Sequence, residues 1–148
     1  MEKIVIGCDH AGLELKHSVI SHLQKKGFDV IDAGTYTQDS CGYPDFGYAA
    51  AKKVADGVVK RGIVICGTGI GISISANKVK GIRCALCGDL FSAEMTRRHN
   101  DANMLALGAR VVSQDLALQI VDKFLETPFE GGRHQKRIEK MMDIENKN

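Results

Sequence analysis

The densest chemistry in the sequence lies in Arg61 to Asn77, RGIVICGTGIGISISAN, where a thiol meets a run of glycines. Ile63, Val64 and Ile65 make a short β-branched apolar run, suited to a buried strand of a parallel sheet. Cys66 falls at the carboxyl end of that strand, and Gly67, Gly69 and Gly71 lead from it into a helix. Ligands bind at this edge of open α/β sheets, and a glycine turn before a helix offers bare backbone N–H groups to an anion. A thiol at a helix N-terminus is stabilised as thiolate and can act as base or nucleophile. The plainer reading of the same glycines is a tight strand-to-helix turn.

Two phosphate motifs fail here on spacing. A dinucleotide fingerprint from Gly67 needs glycine where the chain has Ile72. A P-loop from Gly62 reaches Gly67 but continues with Thr68 instead of lysine. Nucleotide-dependent redox chemistry is disfavoured accordingly.

Other side chains with chemistry stand at element ends. Asp9 and His10 follow a first strand, Thr68 lies in the glycine turn, His99 and Asn100 close a helix, and Arg110 follows a fifth strand. Arg133 and Arg137 are one helical turn apart and can present two guanidinium groups together. Taken singly, each has a dull explanation: a cap, a solvated helix end, a wet face. His17 and His22 are five apart, a spacing that does not align two ligands on a helix face, and are expected to be solvated. No pair of histidines or carboxylates has convincing metal-ligand spacing. Cys84 and Cys87 spell CxxC, but within a strand residues three apart point to opposite faces, so they read as small buried residues.

The elements that must position these groups follow from periodicity and punctuation. Lys3 to Cys8 reads as the first strand; a helix carrying Leu13, Val19, Ile20 and Leu23 stops at Gly27; Phe28 to Asp32 is the second strand. After a polar loop from Thr35 to Pro44, Asp45 is expected to cap a helix running to about Gly57. Beyond the third strand come a helix from about Gly71 to Lys78, a fourth strand near Cys84 to Cys87, and a helix capped by Asp89. Met104 to Leu107 is the fifth strand, and Ser113 caps a helix ended by Thr127 and Pro128. A charged final helix, Arg133 to about Glu145, carries a narrow stripe of Ile138, Met141 and Met142 that needs a surface to cover. That surface is either its own domain or a second subunit. Strands alternating with helices predict a Rossmann-like three-layer α/β sandwich: a five-stranded parallel sheet, helices on both faces, and an extra C-terminal helix.

Length and composition bound the rest. The 148 residues fit one domain, 1–148, with 44% hydrophobic and 26% charged residues. A net charge of +2, scattered along the chain, gives no reason to invoke nucleic acid or a membrane surface. No run suggests a signal peptide or membrane span, and five cysteines without a disulfide framework fit a reducing compartment, so cytoplasm is the expectation.

GCDHAG at Gly7 to Gly12, YPDF at Tyr43 to Phe46, CGTGIG at Cys66 to Gly71, RHNDANMLALGAR at Arg98 to Arg110 and GGRHQKRI at Gly131 to Ile138 occur in that order. Together they resemble the ribose-5-phosphate isomerase B family of LacA/LacB-type sugar-phosphate isomerases, over nearly the whole chain. The resemblance implies aldose–ketose isomerisation of ribose 5-phosphate and ribulose 5-phosphate without metal or organic cofactor. It implies Cys66 as the base moving a proton between C2 and C1, and His99 as the acid opening the furanose ring. Asp9 would take or orient the anomeric hydroxyl proton. Thr68 and the amides of Gly67, Gly69, Ile70 and Gly71 would hold the enediolate oxygen. His10, Arg110, Arg133 and Arg137 would bind the phosphate, Asn100 a sugar hydroxyl and Tyr43 the sugar face. It further implies a homodimer with shared active sites, whose dimers can pair into tetramers. The alternatives are a six-carbon isomerase acting on galactose 6-phosphate or allose 6-phosphate, and a non-catalytic sugar-phosphate sensor. A sensor has no need of Cys66 and His99 together.

Overall fold

Five short hydrophobic runs pair in parallel in the order β2-β1-β3-β5-β4. The computed structural model describes residues 1–148. The strands are β1 (Lys3–Cys8), β2 (Asp29–Asp32), β3 (Arg61–Cys66), β4 (Cys84–Leu86) and β5 (Met104–Gly108). Between and after them lie α1 (Leu13–Lys25), α2 (Tyr43–Ala55), α3 (Ile70–Asn77), α4 (Leu90–Asn100), α5 (Gln114–Glu126) and α6 (Arg133–Asp143). No helix is long and apolar enough to cross a membrane.

Alternation along the strands builds two cores. Ile4, Ile6, Ile63, Ile65, Leu105 and Leu107 point to one face and pack with α1, the Ala93 side of α4, and Ala117, Ile120, Val121 and Phe124 of α5. Val5, Val64, Cys66, Met104 and Ala106 point to the other, against Ala50, Ala51 and Val54 of α2 and Ile72 and Ala76 of α3. This is the expected sandwich. Cys84 and Cys87 fall in opposite cores, as the strand period requires, and all five cysteines are free.

The caps on Asp89 and Ser113 form as read. Asp89 accepts the Ser92 N–H at 2.6 Å, and Ser113 Oγ accepts that of Leu116 at 3.2 Å. Asp45 does not cap α2, which begins two residues earlier with Gly42 as N-cap. Pro44 explains the early start, since its fixed φ suits the first turn and its missing N–H would have had no helical partner. Asp45 lies in that first turn, where its charge still suits the helix dipole. His22 departs from the solvated reading too: it is half-buried and bonds Asp122 of α5 at 2.8 Å, while His17 is exposed.

A buried cation ties the first α/β unit together. Lys16, on α1, is fully buried and reaches Asp32 Oδ1 at the end of β2 and the Thr35 carbonyl, each at 2.5 Å. The apolar stripe of α6 is divided. Ile138 is buried and the Met142 sulfur accepts from Arg83, whereas Met141 is exposed, as is Ile144 just past the helix.

Candidate active site

Moving outward from β1 to β2 and from β3 to β5, the strand order reverses direction between β1 and β3, and it is outside the carboxyl ends of strands at such a switch point that open α/β sheets bind ligands. Asp9 follows β1 there and Cys66 ends β3. The Asp9 N–H donates to the Ile65 carbonyl at 3.2 Å, which fixes the two loops side by side. Asp9 is 6% exposed, and one carboxylate oxygen accepts the Gly12 N–H at 3.1 Å.

Cys66 is buried and its sulfur accepts the Gly69 N–H at 3.2 Å, a donor placed where the charge of a thiolate would sit. That bond depends on Gly69 at φ 79°, a left-handed conformation that a side chain would strain. Thr68 is exposed beside it, its hydroxyl accepting from the Ile70 N–H at 3.2 Å. The backbone of Arg110 bonds the Gly67 carbonyl at 2.9 Å, and its guanidinium lies over Gly67, 3.3 Å from where a Cβ would be. Tyr43 covers Gly71 so closely that a Cβ there would lie 2.5 Å from the phenol ring. His10 Nδ1 accepts the Cys41 N–H at 3.2 Å. Asp9, His10, Tyr43, Cys66, the Gly67–Gly71 turn, Thr68 and Arg110 are thus gathered at one edge.

His99, Asn100, Arg133 and Arg137 are not. Helix α4 runs back from the carboxyl end of β4, so its last turn, carrying His99 and Asn100, lies at the amino edge of the sheet. Asn103, three residues on, bonds Gly62 near the start of β3. At about 3.3 Å per residue, the length of β3 puts roughly 16 Å between this edge and Cys66. Helix α6 is held to the same edge: the Glu130 N–H bonds the Arg98 carbonyl at 3.1 Å, and Arg133 and Arg137 line a groove of about 480 Å³ with Lys136 and Lys140. A cavity of about 700 Å³ also opens at this end, between Arg83, Asn100, Met142 and Ile144.

His134 and Glu130 were not singled out by the sequence reading, yet both adjoin His99. The His99 and His134 rings stack with centroids 4.2 Å apart and planes 13° from parallel, and Glu130 lies 3.6 Å from His134 Nε2. Burial chiefly, and then the charge of His99, hold the His134 imidazole below its ordinary pKa. The expectation that no histidine or carboxylate pair has ligand spacing therefore needs correcting: His99, Glu130 and His134 put their donor atoms within 4.8 Å of one another. The four-residue step from Glu130 to His134 is the signal that was available. Burial also pushes three thiols up, Cys8 and Cys87 to about 11 and Cys84 to about 12, so these are protonated at neutral pH.

Fold and site together define a doubly wound α/β protein with an anion-suited turn and a thiol at its switch point. The chain belongs to the ribose/galactose isomerase family, whose model matches residues 4–141. Ribose-5-phosphate isomerase B of Escherichia coli is 50% identical over 145 residues, 98% of this chain and 97% of that protein. The solved ribose-5-phosphate isomerase B of Clostridium thermocellum superposes with a TM-score of 0.97 at 56% identity, covering 98% of both chains. That of Mycoplasma genitalium, solved with bound ribulose-5-phosphate, gives 0.94 at 44% identity, covering 99% of this chain and 97% of the other.

Proposed function

We propose that this protein is an aldose–ketose isomerase that interconverts ribose 5-phosphate and ribulose 5-phosphate. The observation that carries the reading is the ribulose-5-phosphate-bound relative, alike over nearly the full length of both chains. In the proposed reaction His99 protonates the ring oxygen while Asp9 takes the anomeric hydroxyl proton, so that the bond from C1 to the ring oxygen breaks and the furanose opens to the aldehyde. Cys66 then removes the C2 proton, and the electron pair moves to leave an enediolate whose oxygen faces the Gly67–Gly71 amides and the Thr68 hydroxyl. Return of the proton to C1, with the O2 hydroxyl proton passing to O1, gives the ketose. His10, Arg110, Arg133 and Arg137 hold the phosphate, Asn100 a hydroxyl, and Tyr43 the sugar face.

The groups so assigned stand at opposite edges of one chain, so the complete site is read as shared between two subunits, with His99 of one facing Cys66 of the other. Exposed Ile70, Ile74, Leu86 and Phe91 support an apolar contact between chains. The 148 residues are read as one domain, and the five free cysteines support work in the cytoplasm.

The test is an isomerase assay on ribose 5-phosphate, galactose 6-phosphate and allose 6-phosphate, with and without chelator. The expected outcome is highest kcat/KM on ribose 5-phosphate, undiminished by EDTA. Preference for a six-carbon phosphate would reassign the substrate, a loss reversed by a divalent ion would reassign the chemistry, and turnover of none would leave the sensor reading.

A further inference from the structure

We infer that His99, Glu130 and His134 form a binding site for a divalent transition-metal ion of the zinc class, and that an ion held there withdraws His99 from proton transfer. The second half rests on the role proposed for His99; the first stands on geometry alone. Glu130 is tied to the last turn of α4 through the Arg98 carbonyl, and α6 begins immediately afterwards, so the carboxylate and the His134 ring face each other across one turn at 3.6 Å. All three donor atoms fall within 4.8 Å. His134 is 4% exposed, and its Nε2 has no hydrogen-bond partner. A buried ring nitrogen without a partner has lost water and gained nothing, and it points at the carboxylate, where a cation would satisfy both.

Two imidazoles and one carboxylate are the donor set of open zinc sites, with further positions left for water or a ligand oxygen. The stacked rings add a requirement. Lone pairs lie in the ring plane, so two nearly parallel imidazoles direct them side by side and do not converge on one ion. His134 is packed, whereas His99 is half-exposed, and a turn of the His99 ring out of the stack brings its nitrogen to the ion. That same turn removes the ring from the orientation in which it would serve as acid. Arg133 and Arg137, on the same helix, oppose a cation, so the site binds more weakly than structural zinc sites and acts as a reversible brake.

Metal-free protein, prepared with EDTA and dialysed, is titrated with Co²⁺ and followed by visible absorption and by histidine-ring NMR. The expected result is one saturable ion per chain, no thiolate charge-transfer band, and paramagnetic broadening of the His99 and His134 resonances with His17 unaffected. Glu130→Gln should weaken binding by at least the roughly tenfold that even an outer-sphere partner is worth. His134→Gln should abolish it, and if that variant fails to fold, the exposed Glu130 position decides. No saturable binding below about 1 mM, a thiolate band, or unchanged affinity in Glu130→Gln overturns the site. In the activity arm Zn²⁺ should inhibit isomerisation, EDTA should restore it, and the inhibition midpoint should move with Co²⁺ affinity in Glu130→Gln. Binding without inhibition overturns the second half. Binding with the expected signatures in a protein that isomerises no sugar phosphate upholds the site and overturns the proposed isomerase.

Discussion

At the scale of single residues, the environments of the cysteines separate Cys66 from three of the others. Cys8 and Cys87 are sealed into the α1/α5 core and Cys84 packs half-buried against the other, with burial raising all three. Cys66 is buried as well, but its sulfur accepts the Gly69 N–H, and it lies at the switch point between β1 and β3. As the proposed base, Cys66 would contribute to proton transfer and little to affinity, which the phosphate would supply. Cys66→Ala should therefore lower kcat by about 10² to 10⁴ while calorimetric affinity for ribose 5-phosphate stays within a few-fold. Turnover close to wild type would place the base elsewhere. The thiol, the glycines and Asp9 were legible in the sequence because each sits at the end of a strand that its own hydrophobic pattern announces. His134 was not, because nothing local in RHQKR marks which of its polar residues turns inward. Its burial is set by the packing of α6 on α4, a contact between segments far apart in sequence.

At the scale of elements, the strands and most helix ends follow the reading, since β-branched runs, Asp89, Ser113, Thr127 and Pro128 act locally. What sequence could not supply was α1's interior charge. Lys16 lies on the buried face of an amphipathic helix, a place where pattern predicts an apolar residue, and only the distant Asp32 and Thr35 make it tolerable. Removing its partner should be costly. Asp32→Ala should destabilise by roughly 2–3 kcal/mol in urea unfolding, below the 3–5 typical of a fully buried pair because solvent reaches Asp32. The Asp32 side chain is 32% exposed and that of Lys16 fully buried. A change under about 0.5 kcal/mol would mean that Lys16 escapes to water when released.

At the scale of the molecule, the direction of a single helix decides how the site can be assembled. Because α4 returns to the amino edge, His99 and Cys66 of one chain stand at opposite edges of the sheet, and under the proposed mechanism two chains would have to supply them. Mixing Cys66→Ala with His99→Asn, each nearly inactive alone, tests this. Random exchange makes half the dimers mixed, each with one intact site of two, so about a quarter of wild-type activity should return. Demonstrated exchange with no recovery would assign both residues to the same chain. In the proposed dimer, exposed Ile70, Ile74, Leu86 and Phe91 would give the association its driving force, and with it a further consequence of the divided edges. Turnover per chain becomes a function of how much protein is present. On serial dilution past the point where chains part, specific activity should fall with concentration and recover on reconcentration, although each chain remains folded by its own two cores.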